Sequence, residues 1–263
     1  MPRAATPVLS GCYFISLRPV GDHHALRRAA AAHGARVIAL SPWRLAFGDD
    51  AATRAALRAA LSAPRVVFTS PTAVRAACAL RTVRARRRQE WCAVGTGTAA
   101  ALRRAGVGGD IATPVRMDSE GLLALPALRD VRGTQVGLVT APGGRGRIAA
   151  VLRRRGARVL RADVYARVAV TPSPRAIARL RALTPTSLLL ALSSGEALER
   201  TLDALPRDLT TVLRRARVVA TSARLAALAR GRGFRHILIA DSARPLALIE
   251  AAVADRDRRP WEV

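Results

Sequence analysis

Five short turns of hydroxyl and glycine residues could do chemistry: Thr69-Ser70, Gly95-Thr96-Gly97-Thr98, Gly143-Gly144-Arg145, Ser193-Ser194-Gly195 and Thr221-Ser222. Each follows an apolar run and opens a stretch with helical spacing, so hydroxyls and free backbone N–H groups gather at a helix N-terminus. That arrangement favours anions such as carboxylates. Taken singly, each turn reads equally well as an N-cap. Arg18, after the first apolar run, and Arg145, at the matching turn of the second half, could add charge-assisted bonds. Other chemistries find little support. His23 and His24 begin a helix, His33 ends it, and His236 lies late in the chain, without HExxH or CxxC spacing, so no metal site is expected. Gly95-Thr96-Gly97 is half a dinucleotide fingerprint, with Ala100 at the third position and no acidic residue closing a second strand. The 141–147 turn lacks the GK[ST] of a phosphate loop, and GxSxG is absent.

The elements that position these turns alternate. Apolar runs at 12–17, 35–40, 65–68, 91–94, 111–113, 136–140 and 156–160 read as strands, and the stretches between most of them have helical periodicity. Glycines at 34 and 106 are placed to stop helices, while Ser70 and Asp118 or Ser119 are placed to cap them. This order predicts an α/β protein of βαβ units with parallel sheets flanked by helices.

The second half repeats the first. Gly34-Ala35-Arg36-Val37 recurs as Gly156-Ala157-Arg158-Val159, an offset of 122. Ser70 corresponds to Ser194, the 91–102 segment to 217–228, and Asp118-Ser119 to Asp241-Ser242, all at offsets of 122–126. Trp43 and Tyr165 hold equivalent places where a strand gives way to polar sequence. Linkers are therefore expected near 41–50 and 164–174, which predicts two similar domains, doubly connected, with a cleft between them.

Composition sets the limits. The chain has 263 residues, 44 basic against 18 acidic, and every basic residue is arginine. Half the residues are hydrophobic, which excludes a disordered basic tail. A formal charge of +26 fits an anionic partner or a compositional bias toward Arg, Ala and Gly. Only 3% of residues are aromatic, and runs such as 84–88 and 153–155 are expected on solvated helix faces, so nucleic-acid binding is disfavoured. No apolar stretch is long enough for a membrane span, and the first dozen residues lack the core of a secretory signal. Cys12, Cys78 and Cys92 lie in apolar runs and predict reduced, mostly buried thiols in the cytoplasm.

From about 13 to 252 the chain resembles the uroporphyrinogen-III synthase family. The resemblance rests on a strand ending near Arg18-Pro19, VVFTSPTAVRA, AVGTGTAAAL, DSEGLLALPAL, GGRGRIAAVLRRRGARV, VYAR, LSSGEAL and VVATSARLAALA, in that order. The last segment departs from the Gly-Pro-Thr type of opening that some members show. The resemblance implies two α/β domains on a two-stranded linker: 1–42 with 169–263, and 43–168. It also implies a cofactor-free, metal-free lyase of haem biosynthesis that closes hydroxymethylbilane to uroporphyrinogen III. Loss of the terminal hydroxyl as water gives an azafulvene, and a spiro intermediate lets ring D close inverted. By this resemblance Tyr165 would be catalytic, donating a hydrogen bond to the leaving hydroxyl. Substrate binding would fall to Arg18, Thr69, Ser70, Gly95, Thr98, Gly144, Arg145, Ser193, Ser194, Thr221 and Ser222. The partner implied is a polycarboxylate linear tetrapyrrole, delivered to a monomer by hydroxymethylbilane synthase, with no nucleic acid and no membrane. A binding module that closes on an anion without chemistry, or a basic nucleic-acid-binding protein, are the alternatives.

Overall fold

A computed structural model describes residues 7–142, 146–258 and 261. The chain divides into two compact units: residues up to Arg44 together with those from Val168 onward, and Leu45–Arg167.

The first unit opens with β1 (Tyr13–Ser16), α1 (His24–Ala31) and β2 (Arg36–Ala39). The chain then passes through β3 (Trp43–Phe47) into the second unit. There follow α2 (Ala51–Ser62), β4 (Arg65–Phe68), α3 (Pro71–Leu80), β5 (Glu90–Ala93), α4 (Thr96–Arg104) and β6 (Ile111–Ala112). The unit is completed by α5 (Ser119–Leu123), β7 (Gln135–Thr140), α6 (Arg147–Arg154) and β8 (Arg158–Asp163). The return runs through β9 (Tyr165–Ala169), which pairs with β3 as a two-stranded ribbon. Back in the first unit come α7 (Pro174–Arg181), β10 (Leu188–Leu192), α8 (Gly195–Ala204) and α9 (Arg207–Arg214). The unit ends with β11 (Arg217–Ala220), α10 (Ala223–Gly231), β12 (Ile237–Ile239) and α11 (Pro245–Arg258).

Each unit holds a five-stranded sheet whose paired strands run parallel, in the orders β12-β11-β10-β1-β2 and β6-β5-β4-β7-β8. Matching β1 with β7, β2 with β8 and β10 with β4 makes the two orders identical, so the repeat read from the sequence is a repeat of topology. Parallel strands covered on both faces need apolar residues throughout. In β4, Val66 and Phe68 face one core with Trp91, while Val67 faces the other with Leu138 and Leu152. All five residues of β10 are buried. Helix α2 packs directly on β7 at Gly137, where a Cβ would lie 1.9 Å from the Ala60 carbonyl oxygen. Only glycine permits that approach.

The segments at 43–47 and 165–169 are strands that pair with each other, the two-stranded linker that the resemblance implies. Other expectations change. Helix α9 stands outside the expected alternation, since it follows α8 with no strand between them. The arginine run 84–88 is not helical, because α3 ends at Leu80 and the loop is tied down elsewhere. Gln89 Nε2 donates to the Leu61 and Ala63 carbonyls, while its Oε1 accepts from the Arg86 amide. Of the cysteines, Cys12 and Cys92 are buried, but Cys78 lies on the outer face of α3 because Ala76 and Ala77 take the inner one. Burial pushes the Cys92 thiol up to about 12. Among the described residues, no helix is long and apolar enough to cross a membrane.

Candidate functional site

In parallel sheets the strand carboxyl ends and the following helix N-termini form the ligand-binding edge. In the second unit, Thr69 and Ser70 leave β4 at this edge. The Ser70 hydroxyl caps α3, accepting from the Ala73 amide at 3.0 Å, and lies 3.1 Å from the Tyr165 hydroxyl. Two residues 95 positions apart in sequence thus meet. The Tyr165 ring is buried, at 5% exposure, in the core of α2, β4 and α3. Beside this pair, Thr69 Oγ1 donates to Thr140 Oγ1 at 2.8 Å.

Thr69 and Thr140 also line a hollow of about 350 Å³, together with Ser119, Arg147, Arg161 and Arg167. Three guanidinium groups thus face one concavity. Arg147 opens α6 and pairs with Glu120 at 2.9 Å, while Arg161 pairs with Asp163 at 2.9 Å. Both acids remain partly exposed, so an incoming carboxylate can compete for the same forks. Gly146, with φ +57, turns the chain left-handed into α6.

At the next turn, Gly95 and Thr98 are covered. Met117 packs over Gly95, and Thr98, expected to bind ligand, is 2% exposed because its helical phase points it toward the core with Ala99 and Leu102. Thr96 and Gly97 are the exposed members of that turn. Asp118 caps α5 through the Gly121 amide at 2.8 Å, and that bond holds its carboxyl below the usual range. Gly144 and Arg145, also expected to bind, lie outside the described residues.

The first unit presents a matching edge. Ser194 caps α8 and Ser222 caps α10, each accepting an amide hydrogen bond at 3.3 Å. Ser193 is exposed, and Thr221 is half-buried beside Ser222, its amide bonded to the Leu192 carbonyl at 3.0 Å. Arg18 lies just beyond β1 and pairs with Asp22 at 3.0 Å, so its charge is met locally.

Sequence reasoning missed two groups. Arg147, Arg161, Arg167 and Thr140 line the hollow, and of these Thr140 carried a signal: the 122 offset places it opposite Arg18. The other group is a buried chain in the first unit. His23 Nδ1 lies 2.9 Å from Ser16 Oγ, and its Nε2 lies 2.8 Å from Ser41 Oγ. Burial, reinforced by Arg27, holds this imidazole below its ordinary pKa. Separations of 7 and 18 residues leave no local pattern to read.

The fold and its two hydroxyl-rich edges define a duplicated α/β protein with one parallel sheet per repeat. The family model "Uroporphyrinogen-III synthase HemD" matches residues 24–250. The uroporphyrinogen-III synthase of Salmonella typhimurium is 36% identical over 161 residues, covering 60% of this chain and 65% of that protein. The Escherichia coli enzyme of the same name is 33% identical over 165 residues, covering 62% and 66%. The match thus spans just under two thirds of each of these relatives. A crystal structure of a mutant uroporphyrinogen III synthase from Thermus thermophilus superposes over 94% of this chain and 100% of its own, with a TM-score of 0.66 and 19% identity. The Helicobacter pylori uroporphyrinogen-III synthetase covers 93% and 99%, with a TM-score of 0.60 and 12% identity. These two likenesses concern the fold. The chain belongs to the uroporphyrinogen-III synthase family.

Proposed function

We propose that this chain closes hydroxymethylbilane to uroporphyrinogen III with inversion of ring D. The observation that carries the reading is the Ser70–Tyr165 hydroxyl pair at the same strand edge as a hollow lined by Arg147, Arg161 and Arg167. Family membership supplies the reaction. The substrate bears acetate and propionate on each ring, and guanidinium forks, threonine hydroxyls and helix N-termini are its natural partners.

In this reading Arg147 and Arg161 exchange Glu120 and Asp163 for substrate carboxylates. Thr69, Ser70 and Thr140, with the backbone at Thr96 and Gly97, hold further groups. Arg18, Ser193, Ser194, Thr221 and Ser222, like Gly144 and Arg145, are further residues assigned to substrate binding in this reading. The Tyr165 phenol gives its proton to the terminal hydroxyl, which leaves as water; the adjacent pyrrole loses its N–H proton, which restores the phenol, and becomes an azafulvene. Ser70 orients the phenol. The substituted carbon of ring D then attacks, and the spiro intermediate opens and recloses with that ring reversed. Unaided closure without inversion competes, so most of the work is orientation of a flexible chain.

We extend the reading to a monomer in the reducing cytoplasm, in keeping with three unbridged cysteines. The two compact units serve as its domains. Hydroxymethylbilane supplied with catalytic amounts of protein should disappear at least about a hundredfold faster than without it, a span expected of general acid catalysis. Consumption at the unaided rate would contradict the proposal.

A further inference from the structure

The cyclisation chemistry leaves His23 unused. Its side chain is 4% exposed, and both partners, Ser16 and Ser41, are also buried. The three residues belong to different segments: the end of β1, the entry to α1, and the stretch leading from β2 into β3. A second tie joins two of them, since the Val20 amide donates to the Trp43 carbonyl at 3.0 Å. Ser16 lies beside Ala191 in the sheet register, two residues before Ser193. The chain of hydrogen bonds therefore sits directly behind the edge that presents Arg18, Ser193 and Ser194.

We propose that His23 is a positioning residue: bonded to Ser16 and Ser41, it fixes the turn carrying Arg18 and the point where the chain leaves the first unit. It thereby sets the groups this edge offers to substrate carboxylates. The inference rests on the cyclase reading for its kinetic consequence.

A neutral imidazole has one donor and one acceptor nitrogen, so one serine must give a hydrogen and the other receive one. Such a satisfied, buried chain admits a single arrangement of the three segments, which apolar packing alone would leave looser. Protonation makes both nitrogens donors, and the serine that had been donating must turn its hydrogen elsewhere. The new charge would face Arg27 on α1 and Arg18 on the turn, opposed by Asp22. Asp22 is already engaged by Arg18. The stretch leading into β3 offers it the Ser41 hydroxyl. Acid should therefore loosen the edge.

His23→Phe keeps the bulk and removes both bonds and the proton site, and Ser41→Ala removes one bond. For His23→Phe, KM should rise about tenfold with kcat within about twofold, the signature of lost binding without lost chemistry. The wild-type KM should climb as pH falls from 7 to 5.5, whereas that of His23→Phe stays flat. Exchange of the Val20 amide should quicken about tenfold in His23→Phe. Should His23→Phe not fold, Ser41→Ala provides the same readouts at about threefold. Unchanged KM, pH dependence and Val20 exchange in a folded variant would overturn the proposal, as would a fall in kcat alone. A wild-type protein that forms no isomer III would sink the cyclase reading instead, and Val20 exchange would still decide the anchoring.

Discussion

The two units share one topology and differ in what stands at equivalent places. At the repeat offset of 122, Ser16, Ser41 and Trp43 of the first unit correspond to Leu138, Asp163 and Tyr165 of the second. The first unit buries a neutral hydroxyl–imidazole chain at its edge. The second replaces it with an apolar strand residue, an Asp163–Arg161 pair beside an open hollow, and a phenol. The interiors differ too. Ile15 fills the first core where Gly137 lets α2 press on the second sheet. The repeat keeps the scaffold and differs at a few edge positions: a buried hydrogen-bonded chain on one side, a phenol and an arginine-lined hollow on the other.

The largest effect should come from erasing the difference in the cores. Gly137→Val drives a side chain into the Ala60 carbonyl and should cost more than about 4 kcal/mol, unfolding the second unit. Ile15→Val at the equivalent place should cost only about 0.5–1.5 kcal/mol. Denaturant titration of both variants checks the contrast.

Next comes the phenol. Tyr165→Phe should lower turnover about a hundredfold, roughly 2.7 kcal/mol in the barrier, with the unfolding midpoint little changed. Adding Trp43→Tyr to that variant should restore nothing, because that place belongs to the other edge. Recovery of turnover would show that the two edges are interchangeable.

A smaller effect is expected for the arginines. Arg147→Gln with Arg161→Gln should raise KM about thirtyfold or more with kcat nearly kept, whereas Arg18→Gln, whose charge Asp22 already meets in part, should raise it about tenfold, as His23→Phe does. Steady-state kinetics at constant ionic strength distinguishes them.

Smallest is the acid response of stability. The folded-state pKa of His23 lies below its unfolded value, so between the two the unfolded chain binds more protons. The stabilising contribution is complete above about pH 6.5 and declines as pH falls through that value toward the folded pKa. Thermal melts from pH 7.5 to 5 should show this slope in the wild type and its loss in His23→Phe.

Features governed by local rules were legible in the sequence. The hydroxyl before Pro71 predicted the Ser70 cap, and the recurring Gly-Ala-Arg-Val predicted that β1–β2 and β7–β8 occupy equivalent places. Features that depend on one chain segment meeting another were not. The sequence could not show which way Thr98 points, since a one-residue change of helical phase moves a side chain by about 100°. Nor did the 84–88 run reveal itself as a loop, because what holds it is Gln89 reaching the end of α2. The His23 chain joins serines on either side across two turns, and the Arg161 fork folds back on Asp163 within β8. Both belong to tertiary geometry.

The measurement that tests the central claim most directly is the isomer distribution formed from hydroxymethylbilane, separated after acid oxidation to the porphyrins. With the wild-type protein in excess over unaided closure, the product should be isomer III almost entirely. A product that remains isomer I, however much protein is added, would contradict the account.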